Sequence, residues 1–266
     1  MLDFDDSPYA FFPPQLSRKV LRVAQAISRW VTLPLRHQIS AIEIQGADQL
    51  AAVRAAGARV VFVPNHSTHS DPQIMMEFFR SSGWVSHTMA AYDVFQRSKG
   101  TEWLMTRCGA FSVDRDGTDR ASVQQAMKII MEGETALTIF PEGNVFFSGD
   151  RPMPFLEGAA FMALRAQKKL GEDRPVVMVP ISIKVSHLTD QREAVLEKLS
   201  GLARFAGGTL DPSLAPVDGL YAVAEGVMRE VLQRVTERCE QAVLEGLDGI
   251  NAGLDTPGSQ QVLSWD

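Results

Sequence analysis

Two residues in the stretch Asn65-His-Ser-Thr-His-Ser-Asp-Pro72 have the types and spacing that do chemistry. His66 and Asp71 stand five apart, close enough for a single turn to bring imidazole and carboxylate together. A carboxylate on one ring nitrogen fixes the tautomer and leaves the other free to take a proton from a hydroxyl, which is general-base chemistry. The same stretch supports a second reading. His66-x-x-His69-x-Asp71 has the residue types of a metal-ligand cluster, with His87 or His187 as distant candidates, and a metallohydrolase would use it to activate water. The pair alone does not choose between the two.

The elements that must position these residues are legible around them. Arg59 to Val63 is β-branched and continuously apolar, as in a strand buried on both faces, and Pro64 ends it. Asp71 fits an N-cap and Pro72 the first residue of a helix running to about Arg80. The polar cluster thus falls between a strand's carboxyl end and a helix start, where α/β proteins place their sites. Further strands are expected at Ala41 to Ile44, Trp84 to Ala90, Phe111 to Val113, Ala136 to Phe140 and Val176 to Ile183. Helices are expected at Ala47 to Ala56, Ser122 to Glu132 and Gly158 to Leu170. Strands alternating with helices predict an α/β fold with a mostly parallel sheet flanked by helices. Beyond Ser186 the pattern turns helical, over Asp190 to Ala206 and Gly219 to Leu247. The latter carries a stripe of Leu220, Val223, Val227, Val231, Val235 and Cys239, and the Gly/Ser/Gln-rich end after Asn251 is expected to fray. The reading divides the chain into an N-terminal segment 1–36, an α/β core 37–186 and a C-terminal helical extension 187–266.

Composition and charge bound the rest. With 266 residues, 45% hydrophobic and 22% charged, the chain is globular and large enough for one sizeable core, which excludes fibres and low-complexity tails. Two cysteines, Cys108 and Cys239, are too few for a disulfide framework and suit a reducing, cytoplasmic setting. The acidic start (Asp3, Asp5, Asp6) is unlike a secretory signal, and no apolar run approaches the roughly 18 residues of a spanning helix. The net charge of −6 argues against nucleic acid as a partner. It is unevenly spread. Pro14 to Arg36 holds Arg18, Lys19, Arg22, Arg29 and Arg36 and no acid, so this segment is +5 and the remainder −11 against the total of −6. On helical spacing Leu16, Val20, Val23, Ile27, Trp30 and Val31 form one stripe and Arg18, Arg22, Gln25 and Arg29 another. That pattern fits a helix lying on an anionic membrane surface, and equally one packing its stripe on the core. Phe4, Tyr9, Phe11 and Phe12 ahead of it read as exposed aromatics.

Specificity comes from four ordered blocks. Asn65-His66-x4-Asp71 is followed by Gly109-Ala-Phe111-Ser-Val113-Asp-Arg115, then by Phe140-Pro141-Glu142-Gly143, then by Val179-Pro180-Ile181 at the end of an apolar strand. Together they resemble the glycerolipid acyltransferases typified by lysophosphatidic acid acyltransferase, over roughly Ala41 to Lys184. Pro154 to Ala163 is similar to that family's apolar helix after the third block. The resemblance implies an enzyme that moves a fatty acyl group from an acyl-CoA or acyl carrier protein thioester to a lyso-lipid hydroxyl. No cofactor or metal is implied beyond that co-substrate, and the enzyme would be peripheral on the membrane. His66 would be the base and Asp71 its orienting group. Gly109, Phe111 and Arg115 would shape the acceptor site, with Arg115 as a cation for a phosphate oxygen. Glu142, Gly143 and Asn144 would line the same cleft, and Pro180 would sit in its apolar wall.

One departure bears on the acceptor. Where the family reads F-P-E-G-T-R-S, this chain reads Phe140-Pro-Glu-Gly-Asn144-Val145-Phe146, with an apolar residue in place of the arginine that would grip a glycerol phosphate. Arg151, after a Ser-Gly-Asp turn, is the nearest later cation and either compensates or lies in a solvated loop. A lysophospholipid with a full headgroup, or a lysoglycolipid, suits the apolar replacement at least as well. Beside this stand the metallohydrolase built on His66, His69 and Asp71, which leaves the later blocks unexplained, and a catalytically silent lipid-binding protein.

Overall fold

The structure, a computed structural model, describes residues 9–115, 117, 119–147 and 151–254, with side chains as far as 245. The chain divides between Val185 and Ser186 into two compact units. In the first, helix α1 (Arg18–Ile27) runs into a π-helical segment (Ser28–Arg36), followed by α2 (Gln49–Ala55), β1 (Arg59–Pro64) and α3 (Asp71–Ser82). Next come β2 (Ser86–Ala91), α4 (Tyr92–Gln96), α5 (Lys99–Arg107), β3 (Ala110–Val113) and α6 (Arg120–Glu132), then β4 (Ala136–Thr138), α7 (Gly158–Leu170) and β5 (Val176–Ile181). The five strands form one sheet in the order β3-β2-β4-β1-β5, with every neighbouring pair parallel. The α/β class and the parallel sheet are as expected from the sequence.

Helices cover both faces of the sheet, which is why β1 reads as an unbroken apolar run. Val60 and Phe62 pack against Met75, Phe78 and Phe79 of α3, while Val61 and Leu137 pack against Ile129 and Ile130 of α6 and Met162 and Ala166 of α7. Phe62 is fully buried, with the rings of Phe78, Phe79 and Trp84 at 5.4–5.6 Å. Because all strands run the same way, the chain leaves β1, β3 and β4 at one edge of the sheet.

Several expectations are corrected. Ala41 to Ile44 is not a strand: Ile42 and Ile44 alternate inward as strand residues would, but their backbone joins no ladder. Trp84 precedes its strand, β4 ends at Thr138 and β5 at Ile181. The sequence reading had no helix between Ala90 and Gly109, where α4 and α5 form. Ser98 caps α5 by accepting from the Thr101 N–H at 3.0 Å, a short polar signal without an apolar stripe. Tyr9, Phe11 and Phe12 are not exposed aromatics. Tyr9 donates to Asp119 at 2.6 Å, Phe11 meets the buried Phe111 edge-on, and Phe12 stacks on Phe95 at 5.3 Å. Phe4 and the Asp3–Asp6 start lie outside the described residues.

The N-terminal helix and the π-helical segment bury only a narrow, mixed stripe and leave most of their large apolar residues outside. Leu21, Gln25, Ser28 and Leu33 are buried, whereas Val23, Ile27, Trp30 (74% exposed), Val31 and Leu35 (77%) face outward. Polar contacts hold them to α3: Gln25 donates to the Met76 carbonyl at 3.4 Å, and Arg29 lies 3.5 Å from Glu77, which also takes both prongs of Arg80 at 2.7 Å. No helix among the described residues is long and apolar enough to cross a membrane.

In the second unit, α8 (Arg192–Phe205) packs on α9 (Pro216–Leu254) through Leu199, Ala203 and Val223. Of the stripe expected on α9, Val223 is buried and Val227 half-buried, while Leu220, Val231, Val235 and Cys239 are exposed. Fraying was expected after Asn251, but α9 continues to Leu254; the chain beyond that lies outside the described residues.

Replacing Phe62 with Ala removes the ring on which three others pack. It is expected to cost about 3–5 kcal/mol, seen as a lower midpoint in denaturant unfolding followed by circular dichroism.

Candidate active site

The site is assembled where β1 ends. Pro64 closes the strand, and Asn65 locks the strand end to the chain leaving β5: its side chain donates to the Ile183 carbonyl at 3.0 Å and accepts the Ile183 N–H at 2.6 Å. The turn then folds back so that His66 Nδ1 lies 3.0 Å from Asp71 Oδ2, at the first turn of α3. Asp71 is fully buried. It is not the N-cap that the sequence suggested; Ser70 holds that position, and the carboxylate turns inward instead. There it also accepts the Thr68 N–H at 2.8 Å and the Thr68 hydroxyl at 2.7 Å. An ionised carboxylate only accepts, so the ring proton belongs on Nδ1 and the lone pair on Nε2.

A second buried carboxylate fixes the backbone of His66. Glu142, in the turn after β4, accepts the His66 N–H at 2.8 Å and the Met153 N–H at 3.1 Å, joining the β1 turn, the β4 turn and the approach to α7. Phe140 lies under the imidazole at 4.3 Å between ring centroids. Arg115, arriving from β3, donates to the Gly143 carbonyl at 2.9 Å and lies 3.8 Å from Asp93. Gly143 takes φ +71, the left-handed region that glycine favours. Asn144 uses its side-chain oxygen locally, on the Val145 N–H at 2.9 Å.

The structure thus gathers His66, Asp71, Arg115, Glu142, Gly143 and Asn144 at the carboxyl edge of the sheet. It does not bring Gly109 or Phe111 there. Gly109 lies at the amino-terminal end of β3, level with Val61 and so about 10 Å along the strand direction from Pro64, where β1 ends and the turn carrying His66 begins. With φ +91 it fits between Leu16 and His87, and its carbonyl bonds His87 Nδ1 at 2.8 Å. Phe111 is fully buried in the core. The G-x-F-x-V-x-R block thus places only its arginine at the site, because a strand separates its two ends. Pro180 sits on edge strand β5 opposite Val63, where its missing N–H costs no ladder bond. Arg151 is exposed two residues before the Met153 anchor, and residues 148–150 lie outside the described residues.

The metal reading gains no third ligand. His69 is exposed and meets the ring of Phe147 edge-on at 5.0 Å, and His87 is at the opposite end of the sheet, where burial holds its pKa below the usual range. His187 belongs to the second unit. Among the described residues no three His, Cys, Asp or Glu side chains converge. Thr68, which makes two of the three hydrogen bonds to Asp71, was missed in the sequence. The available signal was a hydroxyl three residues before a carboxylate at a helix start.

A parallel α/β sheet with a histidine oriented by a carboxylate at its carboxyl edge places a group of general-base chemistry where such folds hold their ligands. The family model described as Acyltransferase matches residues 41–184, and the chain belongs to this family. It is similar to a protein named glycerol-3-phosphate acyltransferase from Pseudoalteromonas atlantica, 26% identical over 164 residues, covering 60% of this chain and 20% of that protein. A protein of the same name from Aeromonas hydrophila is 24% identical over 179 residues, covering 65% of this chain and 21% of its own length. The chain spans about a fifth of the length of these relatives.

Two substitutions separate the roles of the site's supports. Thr68→Val removes one donor from Asp71 and is expected to lower kcat for acyl transfer about tenfold with the fold intact. Glu142→Ala leaves the His66 and Met153 N–H groups unpaired and should lower both the melting temperature and kcat, the latter by more than Thr68→Val does. Steady-state kinetics beside thermal melts checks both.

Proposed function

We propose that this protein transfers a fatty acyl group from an acyl-CoA or acyl carrier protein thioester to the hydroxyl of a lyso-glycerolipid, in phospholipid synthesis or remodelling. The observation that carries the reading is the His66–Asp71 pair, with its Nε2 lone pair left free, inside the family-matched region. In this mechanism Nε2 removes the acceptor's hydroxyl proton as the oxygen attacks the thioester carbonyl. The C–O bond forms, the C–S bond breaks, and the thiolate leaves with the proton that His66 had taken. Asp71 steadies the imidazolium formed on the way, and no acyl-enzyme is needed.

The relatives' names point to glycerol 3-phosphate as their acceptor. This chain's own residues favour a different one. Val145 offers no hydrogen bond where an arginine would grip a phosphate, and Arg115 is engaged by the Gly143 carbonyl and Asp93. We infer a lysophospholipid carrying a full headgroup, or a lysoglycolipid, as the better acceptor. The same reading puts the protein on a membrane through α1 and the π-helical segment. Their outward stripe of Val23, Ile27, Trp30, Val31 and Leu35, flanked by Arg18, Lys19, Arg22 and Arg36, suits an anionic lipid surface. The end of that segment lies near the site: burial, then the charges of Arg36 and His69, holds the pKa of His37 below its usual value.

The first test is thiol release from acyl thioesters across glycerol 3-phosphate, lysophosphatidic acid, lysophosphatidylglycerol, lysophosphatidylcholine and a lysoglycolipid. His66→Ala is expected to abolish transfer and Asp71→Asn to slow it on the order of a hundredfold or more. Val145→Arg should raise the relative kcat/KM for lysophosphatidic acid. A folded His66→Ala protein working at the wild-type rate would overturn the mechanism. In vesicle sedimentation, Trp30→Ser with Leu35→Ser should weaken binding to anionic vesicles, and added salt should weaken the wild type. Equal binding to anionic and zwitterionic vesicles, unchanged by the substitutions, would make the helix a structural one.

A further inference from the structure

The segment ahead of α1 carries a polar latch that the chemistry described so far does not use. The segment runs along β3 in the opposite direction, from Tyr9 beside Ser112 to Leu16 against Gly109. Phe12 spends both backbone groups on Ser112, its N–H donating to the hydroxyl at 2.8 Å and its carbonyl accepting the Ser112 N–H at 3.1 Å. The latch itself is at the Tyr9 end. The Tyr9 hydroxyl donates to Asp119 Oδ2 at 2.6 Å, and because its one proton is spent there, the fully buried Ser112 hydroxyl donates to Tyr9 at 3.0 Å. Burial and the bond to Asp119 push the Tyr9 pKa up, so the phenol keeps that proton.

Two contacts carry the latch to Arg115. Asp119 caps α6 through the Ser122 N–H at 2.9 Å, and with the same Oδ2 that holds Tyr9 it accepts the Asp114 N–H at 3.0 Å, one residue before Arg115. The Tyr9 ring meets Tyr92 edge-on at 5.4 Å, and the next residue, Asp93, lies 3.8 Å from the Arg115 guanidinium. Arg115 in turn donates to the Gly143 carbonyl at 2.9 Å, and the neighbouring Glu142 accepts the His66 N–H at 2.8 Å. An exposed guanidinium such as this one holds a single geometry poorly by itself, because its rotamers are free. Its grip on the turn therefore depends on where its backbone starts, and that is the point the latch fixes. A plain anchor for the segment would need only the rings of Phe11 and Phe12, which already pack on Phe111 and Phe95.

Resting on the acyl-transfer reading above, we propose that Tyr9 is a positioning residue for the reaction: with Asp119 it holds Arg115 against the Gly143 carbonyl, and so sets the turn whose Glu142 carries the backbone of His66. Tyr9 touches no reacting atom. Its effect passes through three hydrogen bonds in series, Asp119 to the Asp114 N–H, Arg115 to the Gly143 carbonyl and Glu142 to the His66 N–H. A small misplacement of a catalytic base is costly in rate, so loosening the first of these is felt at the last.

The test uses Tyr9→Phe, which removes the hydroxyl alone: Asp119 keeps the Ser122 and Asp114 N–H groups, and Ser112 keeps the Phe12 N–H. It is compared with Arg115→Ala and with the two combined. The readouts are kcat and KM for acyl transfer and hydrogen exchange of the His66 amide, with the Ile183 amide, held by Asn65 and off this route, as reference. Tyr9→Phe is expected to lower kcat about fivefold with KM within about twofold of wild type, and to speed exchange at His66 but not at Ile183. Arg115→Ala should lower kcat about tenfold, and adding Tyr9→Phe to it should lower kcat no further, because the latch acts through Arg115. Wild-type kcat and exchange in Tyr9→Phe would overturn the proposal, and so would losses that multiply in the double variant. Equal speeding at His66 and Ile183 would overturn it as well, since that is the mark of a merely structural anchor. If Tyr9→Phe does not fold, Arg115→Ala decides: wild-type kcat and His66 exchange in that variant would remove the relay. A wild type that transfers no acyl group would instead strike the function proposed above, while the exchange measurement still tests the latch.

Discussion

The structure of the site depends on satisfying one buried carboxylate. Asp71 has no exposure, and an ion in that position costs several kcal/mol unless its oxygens are fully hydrogen-bonded. Its partners are His66 Nδ1 and both the N–H and the hydroxyl of Thr68, all within a six-residue turn. That demand fixes the shape of the turn, which fixes the imidazole plane, which leaves one lone pair pointing away from the protein interior. The orientation of His66 therefore follows from a packing requirement: the turn cannot relax without stranding the carboxylate, and so the imidazole is held in place.

The same logic is repeated one shell further out. Glu142 is buried, and it accepts from the backbone of the base and from the chain approaching α7. Asn65 ties the β1 end to the β5 end in the same two-point fashion. Three loops from three strand ends are thus cross-linked by two side chains, a buried Glu142 and a half-buried Asn65. A rigid parallel sheet provides the frame, since its strands end together and its helices cover both faces. In contrast, the N-terminal helix and its π-helical continuation bury Leu21, Gln25, Ser28 and Leu33 but leave Val23, Ile27, Trp30, Val31 and Leu35 exposed, so much of their apolar surface is not covered by the first unit's core.

Much of this was legible in the sequence, for physical reasons. The buried strand Arg59–Pro64 and helix α7 announce themselves because continuous apolar runs and a glycine-bounded stripe have few other uses. His66 and Asp71 were legible because their spacing spans one turn. What could not be read was direction. Gly109 and Arg115 belong to one sequence block, yet a strand carries them to opposite ends of the sheet, so adjacency in sequence misled about adjacency in space. Asp71 looked like a helix cap because caps and buried ligands share residue types, and only the pull of His66 and Thr68 decides between them. The stripe from Val23 to Leu35 was visible as a period, but a period does not say which side faces the protein. The short helices α4 and α5 carry no stripe, so periodicity could not find them.

The central claim is that Asp71 holds His66 in the tautomer whose Nε2 is free to accept a proton. Nitrogen-15 NMR of the imidazole rings measures this directly at alkaline pH, where histidine is neutral. The account predicts a His66 ring protonated at Nδ1, with a bare Nε2, and loss of that single tautomer in Asp71→Asn. A wild-type His66 protonated at Nε2, or one that averages between both nitrogens as in free imidazole, would contradict it.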